Sequence, residues 1–226
     1  MQLMRKTMPE NQLQHARAIL VQLSDIHLKD DARNPVIQRT EAMVNAVRSC
    51  ALGKRKDLFI VLSGDLAFKG SPEEYDIARG FLDDLRTRFT SCGEFDHIHW
   101  LIVPGNHDCV LPDDDAARLA VADQALHKQS FAPSVMEACL KAQDNYFTFL
   151  NNYFGLDFTH PADKLYQFTT FDVGGTSVGF HLFNTAWLSR RKEQPGQLAI
   201  PIDELKVVSN GCDTAIGILH HPVLAT

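Results

Sequence analysis

Short apolar runs alternate with segments whose apolar residues recur at helical spacing in the first hundred residues of the chain. The apolar runs Ala18–Leu23, 57–63 and 98–103 have the length and composition of buried β-strands. Between them, 36–52 carries apolar residues at helical spacing, and 71 to about 89 opens with the Ser-Pro-x-Glu sequence of a capped helix. This alternation of strand and helix predicts a layered α/β sheet.

The second half of the chain is more varied, and the pattern there predicts one domain over 1–226 with a helical insertion at 111–160. The insertion is polar-helical, and its pattern is broken near Ala132-Pro133. A Gly-Gly pair separates two strand-like runs and predicts an antiparallel hairpin. The elements predicted in addition are a loose arm or short helix over 1–16, the hairpin strands 166–173 and Ser177–Phe183, a short helix over 202–208 and a last strand over 214–219.

Composition narrows the class of protein. A chain of 226 residues that is 45% hydrophobic can bury one sizeable core. The net charge of −6 argues against non-specific attraction to nucleic acid or to an anionic membrane. Five cysteines without CxxC spacing favour reduced thiols, and no apolar run approaches the ~20 residues of a membrane span. We therefore expect a cytoplasmic protein without a signal peptide or a membrane span.

Polar clusters stand where apolar runs stop, at the predicted carboxyl ends of strands, which is where ligands bind in such sheets. Their carboxylate, imidazole and amide groups suit Mn, Fe or Zn better than Ca or Mg, which prefer oxygen ligands. The sequence therefore predicts a metal site at this edge. The clusters are Ser24-Asp25-Ile26-His27, Gly64-Asp65, Gly105-Asn106-His107-Asp108 and His220-His221-Pro222.

Two such cations about 3.5–4 Å apart can hold a bridging water as hydroxide and clamp the oxygens of a phosphoryl centre. Asp65 is well suited to bridge the two cations. His107, next to the candidate ligand Asn106, is placed to donate a proton to the leaving oxygen. Asp108 would hold the imidazole of His107 in one tautomer.

Each of these features also has an ordinary structural explanation when taken alone. Asp-x-His and Gly-Asp are common in turns, and His221 is either a substrate contact or a packed histidine. Lys69 and 190–192 are either phosphate contacts or solvated charges. The aromatic residues between 146 and 154 are either core or a platform for stacking bases. His97 and His99 have a spacing similar to metal-ligating histidines but lie before the end of their strand.

The ordered set D-x-H, GD, GNHD and an HxP-type histidine resembles the calcineurin-like metallophosphoesterase superfamily, and the resemblance extends from Leu20 to Pro222. It implies a four-layer αββα sandwich of α/β class with a dinuclear site of Mn, Fe or Zn ions. It also implies the role of each residue: Asp25 and His27 on the first metal, Asp65 shared, Asn106 and His220 on the second, His107 as the catalytic histidine, Asp108 as its partner, and Asn106, His107 and His221 near the substrate.

Within this superfamily, the segment 64–75 (GDLAFKGSPEEY) is most similar to the phosphodiesterase branch that includes bacterial cyclic-nucleotide phosphodiesterases. The Asp-Arg-Gly sequence of the protein serine/threonine phosphatases is missing from it. The superfamily completes both metals with a downstream Gly-His-x-His segment, which these 226 residues do not contain. We therefore expect the N-terminal part of a longer protein, with a metallophosphoesterase domain over 1–226 that is incomplete at its C-terminal side.

The expected function is metal-dependent hydrolysis of a phosphodiester or nucleotide by attack of a metal-bridging hydroxide. One alternative is a nuclease effector domain of a larger multidomain protein. The acidic charge of the chain makes nucleic acid the less favoured partner, because another domain would have to supply the basic groove. The second alternative is a catalytically incomplete interaction domain. In each case we expect further domains or a C-terminal segment as partners, and we expect no interaction with a membrane.

Overall fold

A computed structural model describes residues 17–31, 33–51, 56–112, 116–125, 132–192, 198–202, 205, 207 and 211–222. Its first sheet is parallel, with strands β1 (Ala18–Leu23), β2 (Lys56–Ser63) and β3 (Phe95–Val103) in the order β1-β2-β3. The three predicted strands are confirmed, and β3 begins three residues earlier than predicted. The predicted arm over 1–16 lies outside the described residues.

Two helices follow the first two strands, as the pattern predicts. Helix α1 (Thr40–Arg48) comes after the 3-10 turn Ile37–Arg39 and is shorter than predicted, and the predicted end of this helix lies partly outside the described residues. Helix α2 (Pro72–Ser91) begins at a capping box. There the hydroxyl of Ser71 accepts from the backbone N–H of Glu74 at 3.4 Å, and the Glu74 carboxylate accepts from the N–H of Ser71 at 3.3 Å.

The second sheet contains β4 (Tyr166–Asp172), β5 (Ser177–Phe183) and β6 (Thr214–Ile218). Strands β4 and β5 are antiparallel, which confirms the predicted hairpin, and β6 joins β5 in parallel. The predicted helix over 202–208 lies partly outside the described residues. Those described there form a turn and a bend.

The two sheets pack face to face, and helices cover the outer face of the first. Alternate residues of β2 point to opposite faces, as strand geometry requires. Three layers of the expected sandwich are therefore formed: the helices, the first sheet and the second sheet. The fourth layer, of helices over the second sheet, stays a prediction. The face toward the helices carries Leu58, Ile60 and Leu62, packed with Phe81, Leu82 and Leu85 of α2. The face toward the second sheet carries Phe59, Val61, Leu101 and Val103, packed with Phe180, Leu182 and Ile218.

Strand β1 is less buried than its apolar sequence predicts. It pairs with β2 on one side only among the described residues, and Leu20 is 45% exposed. The continuous apolar run indicates a strand buried on both faces, but an edge position leaves part of it open. The prediction of a strand is confirmed and that of complete burial is wrong.

Among the described residues of the segment 111–160, the α-helices are α3 (Ala116–Ala125), α4 (Pro133–Leu140) and α5 (Asp144–Phe154). The predicted break is confirmed, since α4 begins at Pro133. The aromatic residues of α5 belong to the core, where the buried ring of Phe149 stacks on Tyr75 at 5.1 Å. None of the helices among the described residues is long and apolar enough to cross a membrane. None of the five cysteines, all of which the structure describes, forms a disulfide.

Candidate metal centre

The four polar clusters meet at the carboxyl ends of the strands, and the carboxylate of Asp65 lies between the histidines. Its Oδ2 is 3.8 Å from Nε2 of His27 and 3.5 Å from Nε2 of His220. Nε2 of His220 is also 3.3 Å from Oδ1 of Asn106, and Nε2 of His27 is 3.9 Å from Oδ1 of Asp25. The structure therefore brings together all five residues predicted to bind metal.

The backbone of the loops after β1 and β2 explains how these side chains converge. Strand pairing continues past the strands, with the N–H of Asp25 donating to Gly64 O and that of His27 donating to Asp65 O. Asp25, His27 and Asp65 have φ values of 55°, 52° and 56°, in the left-handed region that side chains with a Cβ disfavour. Such strain clusters at functional sites, where the surrounding structure holds it in place.

The glycines of the GD and GNHD motifs allow this close approach. Gly64 has a φ of +94°, and a Cβ there would overlap the imidazole of His220. A Cβ at Gly105 would overlap the carboxylate of Asp65. Only glycine can therefore occupy either position while the ligands keep their places.

Asp65 and His220 form a buried, charge-assisted pair. Burial raises the pKa of Asp65, but its bond to His220 and the backbone N–H of His107, 2.8 Å from Oδ1, outweigh it and lower that pKa below the ordinary value. Burial lowers the pKa of His220, whereas Asp65 and the carbonyl of Ser63, 2.9 Å from Nδ1, raise it to about 9. For His27, burial lowers the pKa and exceeds the opposing effect of Asp65. His220 therefore holds a proton that a cation can replace.

The spacing of these atoms also fits the ligand shell of a metal ion. Several separations lie between 3.5 and 3.9 Å, which is long for a hydrogen bond. It is close to the distance between ligands that each lie about 2.0–2.2 Å from one ion. Two sets of ligand atoms lie within 4.8 Å of one another and share Asp65: one with Asp25 and His220, the other with His27 and His107. A shared carboxylate is the arrangement expected for two ions, and the assignment of each residue to one ion stays a prediction.

His107 lies at the side of this group, and its ring is fixed by a backbone carbonyl. Nδ1 lies 2.7 Å from the carbonyl oxygen of Phe68, so this nitrogen carries a proton and donates it. The ring packs edge-on against His27, with ring centres 4.5 Å apart. Nε2 is thereby left to exchange a proton, as a general acid requires.

The predicted pairing of Asp108 with the His107 imidazole is wrong. The Asp108 carboxylate is completely buried and accepts from the backbone N–H groups of Gly105 at 2.9 Å and Ala67 at 3.0 Å, and from the Tyr75 hydroxyl at 3.1 Å. Adjacent residues in a 3-10 turn project in different directions, which sends the carboxylate inward. Asp108 therefore anchors the GD loop to the GNHD loop and is a positioning residue.

Burial dominates the electrostatics of Asp108. It raises the pKa of this carboxyl, while the hydrogen bonds from Gly105, Ala67 and Tyr75 act in the opposite direction, and the pKa is about 6. Tyr75 lies outside the four motifs, and helix α2 brings it to the site. The sequence marked it only as the last residue of the segment 64–75 and gave no indication of its contact with Asp108.

A cavity of about 430 Å³ opens beside His107. Three cationic side chains line it: Lys69, Arg190 and Arg191. The sequence left each of them open as a phosphate contact or a solvated charge. Of these, Arg190 is 12% exposed and pairs with Asp123 at 2.7 Å. The sequence positions of the three cationic residues gave no indication that the fold brings them together at one cavity. The lining residues are Phe68, Lys69, Asn106, His107, Cys109, Leu111, Arg190 and Arg191.

His221 has a packing role in the structure. Its Nδ1 is 2.9 Å from the hydroxyl of Thr185, which also accepts from the N–H of His221 at 3.1 Å. The ring lies edge-on to His220, with centres 4.7 Å apart. These contacts hold the His221 ring beside His220, and the predicted contact of His221 with substrate stays a prediction.

Comparison with known proteins agrees with this geometry. The family model described as calcineurin-like phosphoesterase matches residues 19–224. The chain is also similar to a 3′,5′-cyclic-nucleotide phosphodiesterase of Nostoc sp. (strain PCC 7120), with 26% identity over 107 residues. That match covers 46% of this chain and 36% of the length of the relative.

Proposed function

Because this chain belongs to the calcineurin-like phosphoesterase family, we propose that it performs metal-dependent hydrolysis of a phosphodiester of nucleotide type. The observation that carries the proposal is the convergence of Asp65, His27, Asn106 and His220 beside a cavity lined by cationic side chains. The similarity to a cyclic-nucleotide phosphodiesterase supports the choice of a diester, since that activity is a property of the relative.

The residues of the site would hold two ions of the Mn, Fe or Zn type. When bound, such ions supply Lewis acidity toward the phosphoryl oxygens and a water nucleophile at neutral pH. Asp65, the shared carboxylate, would position both ions. The Ser63 carbonyl accepts from Nδ1 of His220 and leaves its Nε2 facing Asp65 and Asn106, where it would serve as a ligand.

His107 would donate a proton to the leaving oxygen from Nε2. The Phe68 carbonyl keeps the Nδ1 proton in place and fixes the plane of the ring. The imidazole is therefore oriented before substrate arrives, which lowers the cost of placing the proton donor. In this arrangement Phe68 O performs the orienting role that the sequence assigned to Asp108.

The cavity beside His107 would bind the nucleoside part and the charge of the substrate. Its volume of about 430 Å³ is within the range of small-molecule sites. Lys69 and Arg191 would attract the phosphate, and the ring of Phe68 offers an apolar face for a base. This combination favours a small nucleotide over a protein substrate.

The test uses the full-length protein with added Mn, Fe or Zn and compares bis-p-nitrophenyl phosphate, p-nitrophenyl phosphate and cyclic nucleotides. We expect hydrolysis of the diesters to be at least ~10-fold faster than that of the monoester. This ratio corresponds to about 1.4 kcal/mol of selective transition-state stabilisation. Chelation should abolish hydrolysis. Cleavage of plasmid or single-stranded DNA in preference to cyclic nucleotides would favour the nuclease alternative. Less than one ion per chain with no turnover would contradict the proposal and favour an interaction domain.

Replacement of His107 by alanine should separate chemistry from metal binding. We expect hydrolysis of a cyclic nucleotide, whose alkoxide leaving group needs a proton, to slow by about 10²–10⁴-fold. Loss with a p-nitrophenyl diester should be much smaller, since p-nitrophenolate leaves as a stable anion. Metal content, measured by elemental analysis, should stay unchanged. Equal loss of metal and activity would show that His107 is a ligand.

A further inference from the structure

A separate group of candidate ligands lies at the opposite end of the first sheet, in the histidine cluster formed by Asp57, His97 and His99. Oδ1 of Asp57 is 2.8 Å from Nδ1 of His97 and 3.4 Å from Nε2 of His99. The three ligand atoms lie within 4.8 Å of one another. Asp57 lies near the start of β2, about 20 Å along the strand from its end at Ser63. The histidine cluster and the candidate metal centre are therefore separate sites.

Strand geometry explains why the three side chains meet. His97 and His99 are two apart on β3, so they project from the same face of the sheet. In the parallel pairing of β2 with β3, Asp57 is the register partner of His97, and Phe59 is that of His99. The carboxylate of Asp57 is thus held beside both imidazoles by the backbone hydrogen bonds of the sheet. A site built on two paired strands is more rigid than one built on loops.

The surroundings of the histidine cluster hold one imidazole in place and leave the other open. The ring of His99 stacks on Phe59 at 4.6 Å and contacts Phe171 of β4 at 4.4 Å. His97 is 70% exposed and Asp57 is 15% exposed, so an ion can enter from solvent.

We propose that the histidine cluster binds one transition-metal ion of the zinc type through two imidazole nitrogens and one carboxylate oxygen. This donor set with an open position is a common zinc arrangement and lacks the oxygen-rich shell that Ca or Mg prefers. The ion would join β2 to β3 where these strands begin. Through the contact of His99 with Phe171, it would also fasten the first sheet to the second. The proposal does not depend on the proposed function.

The test is a zinc titration of the Asp65→Asn variant, in which the candidate metal centre is disabled. We expect about one remaining zinc equivalent, a higher Tm with zinc, and visible absorption bands when cobalt replaces it. Adding His97→Ala should weaken zinc binding by at least ~100-fold, since even residues that only support a ligand are worth about 10–100-fold. His160→Ala, which removes another exposed histidine, is the matched control and should leave zinc binding unchanged.

A second comparison avoids reliance on the folding of Asp65→Asn. In the otherwise unchanged chain, His97→Ala should lower the zinc stoichiometry by one equivalent and leave hydrolysis of phosphodiesters unchanged. Equal zinc affinity with and without His97 would overturn the proposal. If the unmodified chain does not hydrolyse phosphodiesters but His97→Ala still loses one zinc equivalent, the proposed function is contradicted and the zinc site is supported.

Discussion

An Asp65→Asn variant is expected to lose phosphodiester hydrolysis by more than about 10³-fold, because the Lewis acidity of bound metal is worth several kcal/mol. Oδ2 of Asp65 is the oxygen that faces both His27 and His220. An asparagine amide replaces the charged oxygen by a neutral group, so neither ion would keep the shared ligand that the proposed function assigns to it. Metal content at the candidate metal centre, measured by titration with Mn, should fall with activity.

The fold of Asp65→Asn should survive, because the asparagine carbonyl can still accept from the N–H of His107 as Oδ1 does now. Asp84→Asn is the matched control. Asp84 lies on the exposed side of α2 and pairs with Arg88 at 2.8 Å, and an exposed pair of this kind contributes little. Circular dichroism should show both variants folded. Full metal content in Asp65→Asn would contradict the assignment of Asp65 as the shared ligand.

Prediction from sequence works well for the elements and for the convergence of the candidate ligands, because both leave local signals. The capping box at Ser71 fixes the start of α2 within one residue. The candidate ligands are recognisable because each follows an apolar strand, and the carboxyl ends of parallel strands lie at one edge of a sheet. His220 is more distant along the chain but also follows an apolar run, and its choice over His221 came from the HxP pattern of the family.

The contacts that orient the side chain of His107, the candidate catalytic residue, could not be predicted in this way. His107 is held by a backbone carbonyl, that of Phe68, and a carbonyl has no residue type that a pattern can reveal. The expectation that Asp108 holds His107 followed from their adjacency. In the folded chain, Asp108 instead meets the unpaired N–H groups of two loops that only the tertiary structure brings together.

The left-handed backbone at Asp25, His27 and Asp65 illustrates the same limit. Residue type favours other conformations at these positions, and local propensity would not select them. The pairing of the two loops, such as the bond from His27 N–H to Asp65 O, holds this backbone in place. Departures from local preference are expected where the structure serves a function.

Removing the carboxylate of Asp108 should be the most destabilising single change near the site. An Asp108→Ala variant leaves the backbone N–H groups of Leu66, Ala67 and Gly105 buried without their acceptor. Each such group costs about 1–3 kcal/mol, and the costs are not additive. We expect the free energy of unfolding, measured with urea, to fall by about 3–5 kcal/mol. Metal affinity should fall by about 10–100-fold, because both ligand loops lose their anchor.

Tyr75→Phe is the matched comparison, since it removes one donor to the same carboxylate at 3.1 Å and keeps the backbone contacts. Its unfolding free energy should fall by only about 0.5–1.5 kcal/mol, the net value of one hydrogen bond, or about 1.5–3 kcal/mol if the carboxyl is charged. A larger loss in Tyr75→Phe than in Asp108→Ala would show that the hydroxyl, and not the carboxylate, joins the loops.

The pH dependence of the destabilisation caused by Asp108→Ala tests the protonation state of the Asp108 carboxyl. The pKa of the buried carboxyl, about 6 in the folded protein, lies above the ordinary value of 3.8. The folded state therefore binds this proton more tightly than the unfolded state. Stability from the protonated form is present below about pH 4 and is lost as pH rises through about 6. The gap in unfolding free energy between the unmodified protein and Asp108→Ala should therefore be wider at pH 4.5 than at pH 8. A gap that widens with rising pH would instead show that the backbone N–H groups hold the carboxyl ionised in the folded protein.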